Sequence, residues 1–504
     1  MKLGICPHCK EFVPVEHITE GNKEYLSKIC TKCGKTRSLI SNNAAQYAKK
    51  RNMMLNYEYE GCSLNCLNCN HKPPNIVFIE TTNRCNMNCP ICITNVPSMG
   101  FQFEPRMEYF EKLFKHYSEF EPPPPMQLFG GEPTMRDDIF DIIKLAKSFG
   151  LSVRLVTNGL KLADKDYCDK VVQSGAQILI SFDGLKREMY QKLRAFPGSL
   201  DLKLKALENL SEHKKTKVVL MTVIDKNMNG DDMSWLLEYC LKNPHIIRGI
   251  YLMPLTHVWE EERLSYTPDR TTQEDVENII DKAVGGDAQI YPVSLIRKWE
   301  HLANIFKLKN MHFLGVHPNC ESFTLLISNG KNFLPFTRYL KKGILSLIDD
   351  LELLDKKLQP YTPTTISKWQ KYLTIVSLVK LFFKHANLNA IVNAKGLKSV
   401  ARWVSILGHI ALGKKLKDII KEKTEIRSTF KVLILPFEDN DTLESERLQE
   451  CSSCFAYVDV KTNSIKSIPF CIWEKHKKVI MKDMAEVFNK EGYDKGLSRK
   501  KLEL

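Results

Sequence analysis

Cys85-Asn86-Met87-Asn88-Cys89-Pro90-Ile91-Cys92 follows almost directly on the apolar run Ile76-Val77-Phe78-Ile79-Glu80-Thr81, and Gly130-Gly131-Glu132-Pro133-Thr134 closes the next such run. Three thiolates spaced C-x3-C-x2-C fit three corners of a [4Fe–4S] cube and leave the fourth iron without a protein ligand. An open iron suits the binding of a substrate or cosubstrate better than simple electron storage. A zinc knuckle would close with a fourth Cys or His nearby. The two glycines let a ligand approach the backbone, and Glu132 offers an acceptor to a bound ammonium group.

Around that loop, apolar runs alternate with amphipathic stretches. Strand-like runs lie at Ile76–Thr81, Met126–Phe129, Val153–Thr157, Ile178–Phe182, Val218–Val223 and Gly249–Met253, with helical patterns between them at Asp137–Ser148 and Asp164–Ser174. The repetition predicts an α/β fold of βα units around a parallel sheet, with reactive groups at the strands' carboxyl ends.

The cysteine loop and the Gly-Gly-Glu-Pro segment together resemble the radical S-adenosylmethionine (SAM) superfamily, over residues 75–330. The resemblance implies a partial (β/α)6 barrel, a [4Fe–4S] cluster on Cys85, Cys89 and Cys92, and SAM chelating the open iron. It also implies SAM contacts from Gly130, Gly131, Glu132 and Pro133, and from Asn158, Ser181 and Asp183 at the ends of the third and fourth strands. Thr-Asn-Gly and Ser-Phe-Asp-Gly are also ordinary turn sequences.

Cys6-Pro-His-Cys9 and Cys30-Thr-Lys-Cys33 form a second signal, two knuckles spaced for a four-thiolate site holding one zinc or one rubredoxin-like iron. Such a domain either staples the fold or delivers electrons. A further C-x3-C-x2-C trio, Cys62, Cys66 and Cys69, with His71 two residues on, has no second Gly-Gly-Glu segment and reads as an auxiliary [4Fe–4S] site. Cys168 and Cys240 fall singly in helical patterns and read as core residues. Cys320, Cys451, Cys454 and Cys471 are then expected to share another cluster, which requires the chain between 320 and 451 to leave and return at nearly one point. About three [4Fe–4S] clusters are expected in all.

The chain of 504 residues carries a net charge of +14, which points to an anionic partner or surface. Residues 366–425 hold 12 Lys+Arg against 3 Asp+Glu, and the basic residues alternate with apolar blocks. None of these blocks reaches the roughly 18–20 apolar residues that span a bilayer. Basic amphipathic helices suit an anionic membrane surface; a self-packed bundle and a nucleic-acid site are the alternatives, and nucleic acid is not expected because the aromatic residues sit in apolar blocks. The divisions read as a metal-knuckle domain at 1–50, an auxiliary segment at 51–74, the barrel at 75–330, a basic helical insertion at 331–426 and an auxiliary-cluster region at 427–504.

Taken as a whole, the knuckle domain, Gly61-Cys62-x3-Cys66-x2-Cys69-x-His71, Thr82-Asn-Arg-Cys85 and the late Ile468-Pro-Phe-Cys471 resemble the archaeal tetraether lipid synthases and their bacterial relatives. The basic insertion and the short Cys69-Asn70-His71 stretch depart from that pattern. The resemblance implies radical coupling of two lipid tails into a membrane-spanning lipid, a low-potential donor such as ferredoxin or flavodoxin, and a cytoplasmic enzyme peripheral to the membrane. Three other readings stand beside it: a radical SAM methylase acting on a pterin or lipid, a peptide-modifying enzyme with auxiliary clusters, and an electron-transfer iron–sulfur protein.

Overall fold

A computed structural model describes residues 2–53, 64, 66–69, 73–95, 99–256, 264–308 and 316–489. Four antiparallel strands open the chain: β1 (Leu3–Ile5), β2 (Phe12–Glu20), β3 (Lys23–Cys30) and β4 (Gly34–Ser41). Their tight turns carry the two Cys-x2-Cys knuckles. A helix, Ala44–Asn52, then ties this small sheet to the body of the protein.

The six expected strands are present as β5 (Ile76–Thr82), β6 (Met126–Gly130), β7 (Val153–Thr157), β8 (Gln177–Ser181), β9 (Val218–Ile224) and β10 (Ile247–Pro254), all parallel and adjacent in chain order. Most are rich in Val, Ile and Leu because both faces are covered. The helices Ile139–Ser148 and Lys165–Ser174 match the amphipathic stretches, and the second starts on the Asp164 carboxylate, which accepts from Tyr167 N–H. Cys168 and Cys240 are buried in the main core.

The rest of the chain extends this sheet at both edges. β11 (Tyr291–Pro292), β12 (Ser322–Ser328), β13 (Phe333–Pro335) and β14 (Ser428–Ile434) follow, with β14 parallel to β10 and antiparallel to β12. β15 (Ser453–Asp459) runs parallel to β5 on the opposite edge and pairs with β16 (Ser464–Pro469). Residues 427–504 were expected as a region of their own, whereas their described strands belong to the barrel sheet. An open six-stranded sheet leaves unpaired N–H and C=O groups along both edges, and these strands satisfy them.

The hairpin of β12 and β14 fixes where the insertion sits. Ser328 and Ser428 are register partners, and Arg427 N–H donates to Ser328 O at 2.8 Å. Residues 329–427 therefore leave and return at one point. Because β14 runs parallel to β10, that point lies at the amino-terminal mouth of the barrel, opposite the cysteine loop. Helices Ile344–Leu358, Lys368–His385, Gly396–Ala411 and Leu416–Lys423 make up most of the excursion. Two small cores form there, around Leu302, Leu358 and Ile366 and around Val392, Ile406 and Ile419. Many large apolar side chains nevertheless stay in solvent, with Trp369 66% and Leu397 88% exposed. Among the described residues no helix is long and apolar enough to cross a membrane.

Candidate active site

The carboxyl ends of the strands and the loop after β5 enclose a cavity of about 220 Å3. Cys85, Cys89 and Cys92 line it, together with Gly130–Pro133, Asn158 and Ser181. Burial pushes the Cys85 thiol well above the usual range, helped by the charges of Cys89, Glu132 and Cys92. Three thiols on one wall of a cavity, two of them pushed up by burial and neighbouring charge, form a donor set that a polynuclear cation would relieve. Residues 130 and 131 must be glycine, because a Cβ there would lie 2.4 Å from Thr82 O and 2.2 Å from Arg84 O.

Glu132 has a structural role that its sequence position does not show. Its side chain is buried, and Oε1 accepts from Thr134 N at 3.1 Å, Thr134 Oγ1 at 2.6 Å and Thr157 Oγ1 at 2.7 Å. Oε2 accepts from Asn158 N at 2.7 Å. A carboxylate offers about four acceptor positions, two on each oxygen; three protein donors crowd Oε1 and one uses Oε2, which leaves a position open on Oε2 at the cavity wall. The residue braces the turn between β6 and β7. Asn158 continues the brace, donating from Nδ2 to Asn86 Oδ1 of the cysteine loop at 2.7 Å. Ser181 accepts from buried Lys203 through both its carbonyl and its hydroxyl, at 2.7 and 2.9 Å. Burial, with the neighbouring Arg194 charge, brings the Lys203 ammonium down to about 8.

Asp183 lies behind the cavity wall, holding Arg194 in a bidentate pair at 2.7 and 2.8 Å. Arg194 itself lines the cavity and hydrogen-bonds Cys89. Neither Arg194 nor Lys203 was visible as a site residue in the sequence. The available signal was weak: an arginine eleven residues beyond the Ser-Phe-Asp-Gly turn, at the end of helix Arg187–Arg194.

The remaining cysteines divide into three groups. The knuckle ligand atoms of Cys6, Cys9, Cys30 and Cys33 lie within 4.8 Å of one another, with Cys9 and Cys30 Sγ 3.6 Å apart. Four thiolates around an ion at about 2.3 Å have edges near this length. Cys320, Cys451 and Cys471 come together from β12's approach, the loop before β15 and the start of helix Phe470–Phe488, and each of the last two is pushed up by burial and then by charge, that of Cys320 included. Arg447 Nη2 lies 3.8 Å from Cys320 Sγ, and Glu438 N–H donates to Cys471 Sγ at 3.4 Å. Cys454 is set apart from this trio. It faces Cys69, Tyr117 and Ser467 on the other face of β15. The reason is the strand itself: Cys451 precedes β15, whereas Cys454 lies on it with its side chain fixed to one face. Cys69 is held there by its N–H donating to Ser467 O at 2.7 Å. Cys62 and His71 lie outside the described residues.

Residues 79–240 match the family model of the radical SAM superfamily. The barrel is a radical SAM domain. The family implies SAM, a [4Fe–4S] cluster and the need for an electron donor. The chain is 28% identical over 370 residues to 7,8-dihydro-6-hydroxymethylpterin dimethyltransferase of Methanocaldococcus jannaschii, covering 69% of this chain and 72% of that protein. It is 28% identical over 257 residues to GTP 3',8-cyclase of Campylobacter jejuni subsp. doylei, 49% of this chain and 74% of the relative. Among solved structures, Streptococcus suis SuiB bound to precursor peptide SuiA aligns over 56% of this chain and 69% of that one, at 15% identity and a TM-score of 0.34.

Proposed function

We propose that this radical SAM enzyme removes hydrogen atoms from unactivated lipid-tail carbons and joins two tails through a C–C bond, giving a membrane-spanning, tetraether-like lipid. The observation that carries the reading is the wall of the cavity. Beyond the cysteine loop it is built of Phe78, Phe129, Leu179, Val223, Met253 and Phe437, which suits an aliphatic chain. An alkyl C–H has no acidic proton, so general acid–base chemistry cannot open it.

When bound, the cluster and SAM together supply the hydrogen-abstracting radical. The chain's own residues bind, orient and seal. Cys85, Cys89 and Cys92 hold three corners of the cluster. Gly130 and Gly131 let the turn after β6 pack onto Thr82 and Arg84 at the cavity wall, and the Glu132 carboxylate gives that turn its shape. Arg194, fixed by Asp183, presents a guanidinium suited to the SAM carboxylate. The aromatic wall excludes water that would quench a carbon radical. Glu321, Ser453 and Phe470 line the same cavity beside Cys320, Cys451 and Cys471, so an auxiliary cluster on that trio would border the substrate. The insertion meets an anionic membrane at the barrel's other mouth through its exposed apolar side chains and excess of lysines, which puts the enzyme at the cytoplasmic membrane face.

Methylation of a pterin is the second reading, favoured by the relative from Methanocaldococcus jannaschii. Anaerobic incubation of the reconstituted protein with SAM, reductant and either lipid extract or a reduced pterin separates the two. Joined tails together with 5′-deoxyadenosine support the lipid reading. A methylated pterin, with lipid left unchanged, would replace it.

A further inference from the structure

The amino-terminal mouth of the barrel holds a cation that the radical chemistry does not use. Arg154, the second residue of β7, is 8% exposed and lines the cavity, and its side chain has no hydrogen bond or ion pair to any described residue. Burial pulls its guanidinium down, and the nearby groups acting on it are Tyr251, which favours the charge, and Arg248, which opposes it. An isolated buried cation is expensive, and proteins that keep one generally use it.

Its surroundings are graded. Gln127, Arg154 and Gln177 are abreast in register on β6, β7 and β8. Arg248 Nη2 donates to Gln177 Oε1 at 3.2 Å. Lys431 on β14 is the register partner of Gly249, and its ammonium meets neither an acid nor an acceptor among the described residues; the charges that lower it, after burial, are Arg248 and Arg154. Further out, Lys217 is lowered by burial and then by Lys417 and Lys421 of the insertion. Two residues up each strand the same face turns apolar, at Phe129, Val156 and Leu179. Two residues higher stand Gly131, Asn158 and Ser181. With about 3.3 Å per residue, about 13 Å separates Arg154 from the level of Asn158, with the apolar layer of Phe129, Val156 and Leu179 between them.

We propose that this mouth is a substrate subsite for the phosphate group of an amphiphile, which enters the barrel tail first. The phosphate rests on Arg154, with Arg248 and Lys431 at the rim and Gln127 donating beside it, while the tail passes the apolar layer toward the cysteine loop. The position of the insertion agrees, since its basic helix Leu416–Lys423 stands at this mouth and not at the cysteine end. This rests on the barrel cavity being the substrate path, as proposed above; it does not depend on what reaction follows.

The test is binding, without turnover, of three probes to the reconstituted protein by calorimetry: dodecyl phosphate, dodecanol and inorganic phosphate. Dodecyl phosphate should bind about ten- to a hundredfold more tightly than dodecanol, the worth of one charged hydrogen-bonded contact, and Arg154→Met should erase that preference while still binding dodecanol. Without ligand, Arg154→Met should be at least as thermostable as the parent, because it removes an unpaired buried charge. Equal binding of the two dodecyl probes, a preference that survives Arg154→Met, or marked destabilisation of that variant would overturn the proposal. Inorganic phosphate binding as tightly as dodecyl phosphate would also overturn it, by making the ligand a free phosphate. Failure of lipid coupling in the product assay leaves this measurement untouched, so the two readings fail separately.

Discussion

Replacing Glu132 by Gln separates a brace from a ligand contact. In the folded protein Oε1 accepts three hydrogen bonds and Oε2 one, and the residue is 1% exposed. An amide can keep the three bonds at its oxygen, but its NH2 must then face the Asn158 N–H. One charge-assisted hydrogen bond is lost and two donors are opposed, a cost of about 1.5–3 kcal/mol. For a barrel of this size each kcal/mol lowers the melting temperature by roughly 2–4 °C. Because the strained segment is the turn that borders the cavity, SAM affinity should fall with stability. Glu132→Ala should cost more, since two backbone N–H groups lose their acceptors in a buried site, at about 1–3 kcal/mol each. Differential scanning calorimetry and equilibrium dialysis of SAM on the same reconstituted samples provide the assay. A Gln variant with unchanged melting and SAM affinity reduced tenfold or more would refute the reasoning, because it would make Glu132 a direct contact to the SAM ammonium.

Metal analysis of paired variants tests the division of the late cysteines: Cys451→Ser with Cys471→Ser should cost one cluster's iron and sulfide, and Cys454→Ala should leave that cluster in place. Equal iron loss from both would return Cys454 to the trio. Reversing Lys368, Lys371, Lys380 and Lys384 to Glu should weaken binding to anionic liposomes, and added salt should weaken it in the parent, since screening shortens charge reach to about 8 Å at 0.15 M. Normal liposome binding by the reversed protein would make the insertion a scaffold. Docking of the knuckle sheet should fail in acid. Burial raises the Glu446 carboxyl, but hydrogen bonds to His317 and Lys2 and the charge of Arg51 outweigh it and hold it well below the usual range. A depressed folded value gives stability that is complete above the ordinary carboxylate pKa and lost as pH falls beneath it. Hydrogen exchange in residues 2–53 should therefore rise below about pH 4.3, and Glu446→Gln should show raised exchange already at neutral pH; protection unchanged in both would refute this.

What the sequence determined by itself is local or periodic. Six predominantly apolar runs with helical stretches between them specify parallel strands, because a strand covered on both faces is apolar along most of its length. The cysteine loop and Gly130-Gly131 were legible because each needs a fixed short spacing, and so were the two knuckles that bring Cys6, Cys9, Cys30 and Cys33 together. What depends on distant partners could not be read in this way. The sequence offered the Glu132 carboxylate to a ligand; that Thr157 and Asn158, a strand away, also bond it and so tie it to β7 came only from the fold. Arg194 and Lys203 became site residues only when the helices after β8 folded back over the strand ends. Cys454 is three residues from Cys451, a spacing that suggested a shared cluster, but Cys451 precedes β15 whereas Cys454 lies on it, facing Cys69 and Tyr117. The position of the insertion was decided by the pairing of Ser328 with Ser428, which sends a basic excursion to the mouth opposite the cysteines. Spacing along a chain fixes which side chains can share a turn; only the closed sheet fixes which distant ones share a cavity, and at which end.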